Sequence, residues 1–189
     1  LRVAGAITVA ASGVLLVANG GSVVQVNDAA TVTNDGSITV AKITPSMAAQ
    51  SFMISGSPMT GETREGVFGS AYIVRNHDTS NFVPNAAVAA QFPSANNFAD
   101  DNGDNWITHT GGLSPGEGYL VFPQPDGTSS GSYTQNHTSG TLNNGVFSYP
   151  YTLNAVGTPS ENQNASPFML SNPYASAIDA ELFFDDPAN

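Results

Sequence analysis

Short apolar runs alternate with small polar turns through the first part of the chain. Residues 5–40 read GAITVAASGVLLVANGGSVVQVNDAATVTNDGSITV, and the turns lie about seven or eight residues apart, at 12–13, 19–21, 27–28 and 34–36. This spacing is typical either of successive hairpins or of short β-solenoid rungs that stack on one another. The very short strands, and the similar positions of Gly13, Gly20 and Gly36, favour the solenoid.

The pattern changes near Thr44-Pro45, after which aromatic residues become frequent. Trp106, all 6 Tyr and all 10 Phe lie beyond this point, so we expect the larger aromatic core there. Gly, Pro and Asn separate strand-like segments, which is typical of a β-sandwich or jelly roll. The predicted strands are residues 51–55, 70–75, 106–110, 119–122, 131–135, 146–153 and 168–171.

The prediction is therefore an all-β fold with two parts and few helices. Residues 1–44 form a β-solenoid-like strand block, which packs on a β-sandwich-like or jelly-roll-like domain of residues 45–189. Residues 84–92, PNAAVAAQF, contain enough Ala for a turn or two of helix, although a loop is the alternative.

A short helix is also predicted at the end of SNPYASAIDAELFF, residues 171–184. Pro173 sets a turn, Ser176 caps the helix, and Ile178 and Leu182 pack it onto the larger domain, with Tyr174 in the same structural set. On this interpretation Ile178→Asp unfolds the larger domain.

Charge is scarce and mostly negative, with 4 Lys+Arg against 15 Asp+Glu and a formal net charge of -11. Phosphate backbones and anionic lipids attract basic surfaces, so nucleic acid is not an expected partner. No apolar run approaches the roughly 20 residues of a membrane-spanning helix, so insertion into a membrane is not expected. The absence of cysteine excludes disulfides and thiolate chemistry.

Several segments, in order, resemble one family of secreted bacterial proteins. SNPYASAID is similar to the GNPYPSAID signature of Bacteroidota cell-surface proteins exported by the type IX secretion route. PGEGYLVFP resembles the family's G-x-GY strand, and SGTLNNGVFSYPY resembles its F-x-G-x-x-NNG segment. The leading strand block, GSVVQVNDAATVTNDGSITVAKITPSM followed by SGSPM, is also similar. Ser171 replaces the usual Gly, and Ala175 replaces the usual second Pro.

The resemblance implies an exported, all-β, surface-exposed module of adhesin-like chains, and it carries over no catalytic residue. The chain starts at Leu1 without a Met and ends at FFDDPAN, without the sorting domain that follows in this family. We interpret it as a processed protein or an excised fragment.

The sequence offers one weak metal candidate. In ADDNGDNW, the side chains of Asp100, Asn102 and Asp104 alternate and could present oxygen ligands to calcium. The spacing does not match an EF-hand, because Asn105 and Gly111 stand where the loop Gly and the final Glu are required. A solvated turn is the default interpretation, and no other cofactor is expected.

Aromatic residues offer a weak glycan candidate. Trp106 and Tyr119 could present flat rings to the apolar face of a sugar, although aromatic residues in alternating strands more often fill a core. The three histidines, His77, His109 and His137, lack metal-ligand spacing and are interpreted as exposed.

These observations favour a non-catalytic structural module of a secreted or cell-surface protein. It would act in adhesion or as a subunit of an extracellular filament, with copies of itself or neighbouring modules as partners through strand edges. Ser114 lacks nucleophile-elbow spacing, and sequence alone pairs no two Glu carboxylates at hydrolase distance. The alternative is a carbohydrate-binding module of a secreted enzyme, with surface glycans as partners.

Overall fold

The N-terminal strands form two stacked rungs of a parallel β-solenoid. The structure is a computed structural model that describes residues 1–81, 83, 85–92, 106–150 and 168–187. Each rung has three short strands, and each strand of the first rung pairs in parallel with one strand of the second. The first rung contains β1 (Arg2–Val3), β2 (Ile7–Val9) and β3 (Val14–Val17). The second contains β4 (Val24–Gln25), β5 (Val32–Asn34) and β6 (Ser37–Ile43).

The register of these pairs explains the spacing of the turns. One rung needs three strands and three turns, so turns about seven or eight residues apart return the chain to the same position after one full circuit. Opposed residues are 22, 25 and 23 positions apart on the three faces, in the pairs Arg2–Val24, Ile7–Val32 and Val14–Ser37. The parallel pairing therefore excludes the hairpin alternative.

Apolar side chains stack inside the solenoid. Leu15 lies opposite Ile38, and Val17 lies opposite Val40, so aligned positions of the two rungs place their side chains on the same side. Parallel strands keep this alignment along the whole pair, and the branched side chains fill the interior. The solenoid core consists of Val9, Val17, Val23, Ile38, Val40, Met59, Leu142 and Ala175.

A glycine allows the turns of the two rungs to approach closely. Gly36 lies between β5 and β6, next to the first-rung turn at residues 10–13. A Cβ at Gly36 would collide with the carbonyl oxygens of Ala10 and Gly13. Backbone hydrogen bonds flank the glycine, from Asp35 N to Val9 O (2.8 Å) and from Ser37 N to Gly13 O (3.0 Å). A side chain at this position is therefore incompatible with the observed rung separation.

The second part contains a four-stranded antiparallel sheet with the order β7-β10-β8-β9. The predictions for these four strands are confirmed within one to three residues at each end. The one other named strand in the described residues of this part joins the solenoid instead, so the second sheet of a sandwich stays a prediction. The strands are β7 (Met53–Ser55), β8 (Ile73–His77), β9 (Trp106–Thr108) and β10 (Tyr119–Phe122).

A helix that the sequence analysis missed packs against this sheet. Helix α1 (Arg64–Phe68) is capped by Thr63, whose hydroxyl oxygen accepts a hydrogen bond from the Gly66 amide (3.1 Å). A Thr cap followed by an acidic residue in the first turn is the signal that could have located it. The sheet core consists of Val67, Phe68, Ala71, Val74, Leu113, Tyr119 and Val121.

The packing of the solenoid crosses the predicted division at residues 44 and 45. Strand β11 (Thr134–His137) pairs antiparallel with β6, which places it beside the second rung. Met59, Leu142 and Ala175, all from the second part of the sequence, complete the solenoid core. The all-β prediction is confirmed, and the C-terminal half also supplies one end of the solenoid.

The remaining elements are short. Helix α2 (Ala86–Gln91) confirms the helical alternative for residues 84–92, and a 3-10 turn covers Thr79–Asn81. Helix α3 (Ala180–Asp185) follows the SNPYASAID segment. Residues 146–150 are not in a strand, residues 151–153 lie outside the described ranges, and the strand predicted at 168–171 is reduced to a bridge between Leu170 and Glu117. None of the helices in the described ranges is long and apolar enough to cross a bilayer.

We expect Gly36→Ala to lower the free energy of unfolding by about 2–3 kcal/mol, because the new methyl group overlaps two carbonyl oxygens. Gly5→Ala is the matched control: nothing lies within 4 Å of a Cβ at Gly5, and the expected change is about 0.5 kcal/mol or less. Urea denaturation of both variants measures the difference. Equal midpoints for the two variants would contradict the close approach of the rungs.

Candidate functional site

The structure does not assemble the predicted pair of sugar-stacking rings. Tyr119 is fully buried in the sheet core, so its ring is not accessible to a glycan. Its hydroxyl donates to Glu117 Oε2 (2.5 Å) and accepts from the Ser114 amide (2.8 Å). Burial and the neighbouring Glu117 raise the pKa of Tyr119. Trp106 is half-buried and packs edge-on against His77 at 4.8 Å between ring centroids.

The calcium candidate lies outside the part of the chain that the structure describes. Asp100, Asn102 and Asp104 fall between residues 92 and 106, so the calcium hypothesis stays a prediction. Within the described ranges, no group of three or more His, Asp or Glu side chains is arranged to hold a metal ion.

One of the three histidines is buried, contrary to the sequence-based interpretation. His137, on β11, is fully buried beside Val40, and neither ring nitrogen has a hydrogen-bond partner. Burial, together with the positive charge of Lys42, lowers the pKa of His137 to about 3. Burial also lowers the pKa of Lys42. The imidazole is therefore held neutral inside the fold. His109 is half-buried, with Nε2 at 2.9 Å from Gly112 O.

Two carboxylates that acid–base chemistry could use have structural partners. Glu62 is buried, and its Oε1 accepts a hydrogen bond from the Ser139 amide (2.7 Å). Burial raises the pKa of Glu62, against the opposing effect of the amides of Ser139 and Thr138. Glu117, also buried, accepts the Tyr119 hydroxyl described above. Both carboxylates therefore take part in hydrogen bonds that hold the fold together.

The SNPYASAID stretch connects the two parts of the molecule. Residues 169–176, the bridging segment, contact the four-stranded sheet at one end and the solenoid at the other. Near the sheet, Ser171 Oγ donates to Glu117 O (2.7 Å), and the Ser171 amide donates to Gly116 O (2.9 Å). At the solenoid, the Val23 amide donates to Ala175 O (2.8 Å), and the Ala175 side chain lies in the solenoid core.

The turn inside the bridging segment is held by side-chain amides and one hydroxyl. Asn172 accepts from the Tyr174 amide (2.9 Å) and donates to Ser176 O (2.5 Å), which closes the turn around Pro173. Asn143 donates to Pro173 O (2.8 Å) and to Ser57 O (3.1 Å). The Tyr174 hydroxyl donates to Gly145 O (2.7 Å). Pro173 and Tyr174, which the sequence analysis assigns to a structural set, both take part in these contacts.

Three details of that prediction are wrong. Asp179, not Ser176, caps α3, with Oδ1 accepting from the amides of Glu181 and Leu182. Ile178 is 43% exposed and Leu182 is 69% exposed, so neither pins the helix onto a core. The buried residue is Ala175, which is 5% exposed. A pattern of apolar spacing does not reveal which side of a short helix meets the protein.

A small cavity lies beside the bridging segment. It has a volume of about 190 Å³ and is bordered by the second rung, the loop at residues 142–145 and the bridging segment itself. Sites for organic ligands usually enclose roughly 300 Å³ or more. We therefore regard this cavity as a packing feature of the junction.

A larger groove lies at one end of the four-stranded sheet. Phe52, Tyr72 and Phe122 supply its aromatic surface, and Gln50, Asp126, Gly127 and Thr128 complete the lining of a volume of about 460 Å³. We call this surface the aromatic groove. Phe52 and Tyr72 are 59% and 57% exposed, and the ring centroids of Phe52 and Phe122 are 5.5 Å apart. Exposed rings beside fixed polar groups form a surface suited to a ligand with both apolar and polar sides.

Buried polar contacts fix the shape of the aromatic groove. Gln124 is fully buried, and its amide donates to Ala48 O (3.0 Å) and Ser51 O (2.9 Å), which ties β10 to the chain before Phe52. Gln50 adopts a left-handed φ of 60°, and its backbone N–H donates to Gly127 O (3.1 Å). Gly127 has a φ of 72° beneath the Tyr72 ring, where a Cβ would approach the ring to 3.1 Å.

Sequence reasoning missed the aromatic groove because its rings come from three separated segments. Phe52 precedes β7, Tyr72 precedes β8 and Phe122 ends β10, and only the sheet order brings them together. The available signal was the turn PQPDG after an aromatic strand end, because Asp-Gly turns place polar groups beside the strand end.

These features define an all-β protein in which a two-rung parallel solenoid joins an antiparallel sheet that carries an aromatic groove. The chain belongs to the DUF8693 family, described as a domain of unknown function, whose family model matches residues 1–189. No curated protein and no solved structure matches the chain.

We expect Ala175→Asp to destabilise the protein by at least about 3 kcal/mol, because it places an unpaired carboxylate in the solenoid core. Ile178→Asp, three residues away, should cost about 1 kcal/mol or less, because that side chain is already partly solvated. Thermal melts of the two variants measure the two losses of stability. A larger loss for Ile178→Asp would restore the original interpretation of the helix.

His137 should make stability depend on pH. The folded-state pKa of about 3 lies below the unfolded value near 6.5, so the unfolded chain binds more protons between these pH values. The contribution of His137 to the free energy of unfolding is therefore present in full above about pH 6.5. It falls as the pH is lowered toward 3, by about 2 kcal/mol between pH 7 and pH 5.

The control for this prediction is His137→Leu, which replaces the titrating imidazole with an apolar side chain. Urea melts at the two pH values should show that the variant loses about 2 kcal/mol less than the wild type. Glu62 titrates with the opposite sign in both proteins and cancels in the comparison. An equal pH dependence in both proteins would contradict the neutral, buried imidazole.

Proposed function

We propose that this chain is a non-catalytic structural module of a secreted, adhesin-like cell-surface protein, in which it forms the closed end of a β-solenoid. The single observation that carries the proposal is the difference between the two rung edges. The second rung is covered by the C-terminal half of the chain, and the first rung is not covered by any described residue. Such an end module acts by packing and by strand pairing, without chemistry.

Several contacts cover the second rung. Strand β11 pairs with the free side of β6, and the Val23 amide, just before β4, donates to the bridging segment. Asn144 caps the turn between β4 and β5, because its side-chain amide donates to the carbonyl oxygens of Asn27 (3.0 Å), Asp28 (3.3 Å) and Ala30 (2.8 Å). The Asn34 side chain, on β5, donates to Gly140 O (2.9 Å). These groups stop the solenoid from continuing in this direction.

The first rung has an open edge. Among the described residues, β1, β2 and β3 each pair with one strand only. In the β2–β5 pair, the Ile7 amide and the Val9 carbonyl form hydrogen bonds with β5 or its flanking residues. The backbone groups of successive residues in a strand point to alternate sides, so the N–H and C=O of Thr8 face the open edge. Charged residues are the usual protection of such an edge, and Arg2 is the only one in residues 1–21.

The capped second rung favours the adhesin segment over the filament subunit. A head-to-tail fibre needs two complementary open ends on each copy, and the described strands of the solenoid offer one. The partner that suits the open edge is a further rung of a neighbouring module, which continues the parallel pairing. Export and cell-surface location rest on the similarity to type IX secretion cargo, and the net charge of -11 agrees with a partner other than nucleic acid.

The proposal is tested by adding one solenoid rung to the open edge of the first rung. A copy of residues 1–22 placed ahead of Leu1 repeats the 22-residue offset between Arg2 and Val24. We expect hydrogen exchange measured by mass spectrometry to show protection of the added segment and increased protection of residues 1–17. The thermal midpoint should rise as well, because one more strand pair forms on each face.

Thr8→Pro in the extended chain is the matched control, because proline removes an outward donor from an edge strand but leaves the β2–β5 pairing intact. It should abolish the added protection around β2. An added segment that exchanges like an unfolded peptide would contradict the open-edge proposal. Fibres in electron micrographs of the unextended chain would contradict the capped end and support the filament subunit.

A further inference from the structure

We propose that the aromatic groove binds a neutral pyranose unit of a glycan chain, with Tyr72 and Phe52 as the stacking rings. The groove is a shallow, open depression on the surface, and its volume of about 460 Å³ falls in the size range of small-molecule sites. Neither the solenoid-end function nor the predicted Trp106–Tyr119 pair contributes to it. The inference therefore stands apart from the proposed function and adds a ligand class to the module.

The first reason is the exposure of the rings. Exposing large aromatic side chains to water costs free energy. Phe52 and Tyr72 are nevertheless each more than half exposed beside Phe122. A pyranose ring has a flat face of C–H groups that covers an aromatic ring and removes both surfaces from water. The Phe52 and Phe122 rings are tilted by 38° to one another, and both line the groove together with Tyr72.

The second reason is the polar rim beside the rings. The Asp126 carboxylate accepts hydrogen bonds from the amides of Thr128 (2.9 Å) and Ser129 (2.8 Å) and from the Ser129 hydroxyl (3.0 Å). These bonds lower the pKa of Asp126 to about 2 and fix the carboxylate in place. Three bonds leave acceptor capacity on its oxygens for a sugar hydroxyl, and the side chains of Gln50 and Thr128 add further donors and acceptors.

The negative charge of the groove and of the whole chain limits which glycans can bind. Asp126 is ionised at all physiological pH values, and the described residues that line the aromatic groove include no Lys or Arg. The chain as a whole carries a net charge of -11, so uronic acids, sialic acids and sulfated sugars are repelled. A sugar that presents hydroxyl donors and no negative charge fits both the rim and the surrounding potential.

The third reason is the rigidity of the groove. The buried Gln124 amide and the left-handed backbone at Gln50 and Gly127 hold the rings and the Asp126 turn in one arrangement before any ligand arrives. Side chains that are already fixed lose little conformational entropy on binding, which favours affinity for a flexible glycan. A left-handed non-glycine residue such as Gln50 is uncommon and is concentrated at functional positions.

The experiment is affinity electrophoresis of the full chain in native gels that contain a soluble polysaccharide. The probes are mixed-linkage β-glucan, xyloglucan, galactomannan and arabinoxylan, with polygalacturonate as the acidic probe. We expect at least one neutral probe to retard the protein and polygalacturonate to leave its mobility unchanged. Calorimetry with oligosaccharides of the retarding polymer then gives the dissociation constant.

Tyr72→Ala should weaken binding about tenfold, and Phe52→Ala should act in the same direction, because each removes a stacking surface. Both side chains are exposed, so both variants should fold, and thermal melts check this. Phe184→Ala is the matched control: this ring is 77% exposed on α3, away from the groove lining, and its loss should leave binding unchanged.

Retardation by a neutral polymer that is lost in Tyr72→Ala and kept in Phe184→Ala supports the proposal. Three results would overturn it: no retardation by any neutral polymer, equal retardation of wild type and Tyr72→Ala, or retardation by polygalacturonate alone. None of these results bears on the first rung, so the glycan proposal and the solenoid-end proposal fail independently of one another.

Discussion

Backbone groups at the outer edge of the second rung impose the constraint on which the rest of this structure depends. Short parallel strands leave a row of N–H and C=O groups at each end of a solenoid, and leaving them unpaired and dry costs free energy. Here the C-terminal half pairs with several of these groups, through β11 on β6, the Asn144 side chain on the β4–β5 turn and the Ala175 carbonyl on Val23. Covering this edge therefore also joins the two parts of the chain.

The bridging segment shows how one short stretch can serve two cores. Its two ends make backbone hydrogen bonds to opposite parts of the fold, at Gly116 and at Val23, and its small side chain at Ala175 enters the solenoid core. The turn between them is closed by Asn172 and Tyr174. A segment with this role tolerates little change in geometry and carries no reactive group. The SNPYASAID segment therefore has a structural role, which is to join the two parts of the fold.

Two surfaces of the described residues carry the proposals, and they differ in physical character. The first-rung edge offers directional backbone hydrogen bonds, which select another strand. The aromatic groove offers exposed rings beside a fixed carboxylate, which select a ligand with an apolar face and hydroxyl donors. The first surface lies on the solenoid and the second on the antiparallel sheet, so the two proposals assign anchoring and ligand binding to separate parts of the module.

The sequence by itself determined the all-β class, the rung spacing and most strand positions, because these follow from local turn chemistry and residue alternation. Only the tertiary structure decided which residues are buried and which are open. It buried Tyr119 and His137, exposed Ile178 and Leu182, and brought together the three rings of the aromatic groove. The physical reason is that burial and proximity depend on strand order and on packing between distant segments, which local periodicity does not encode.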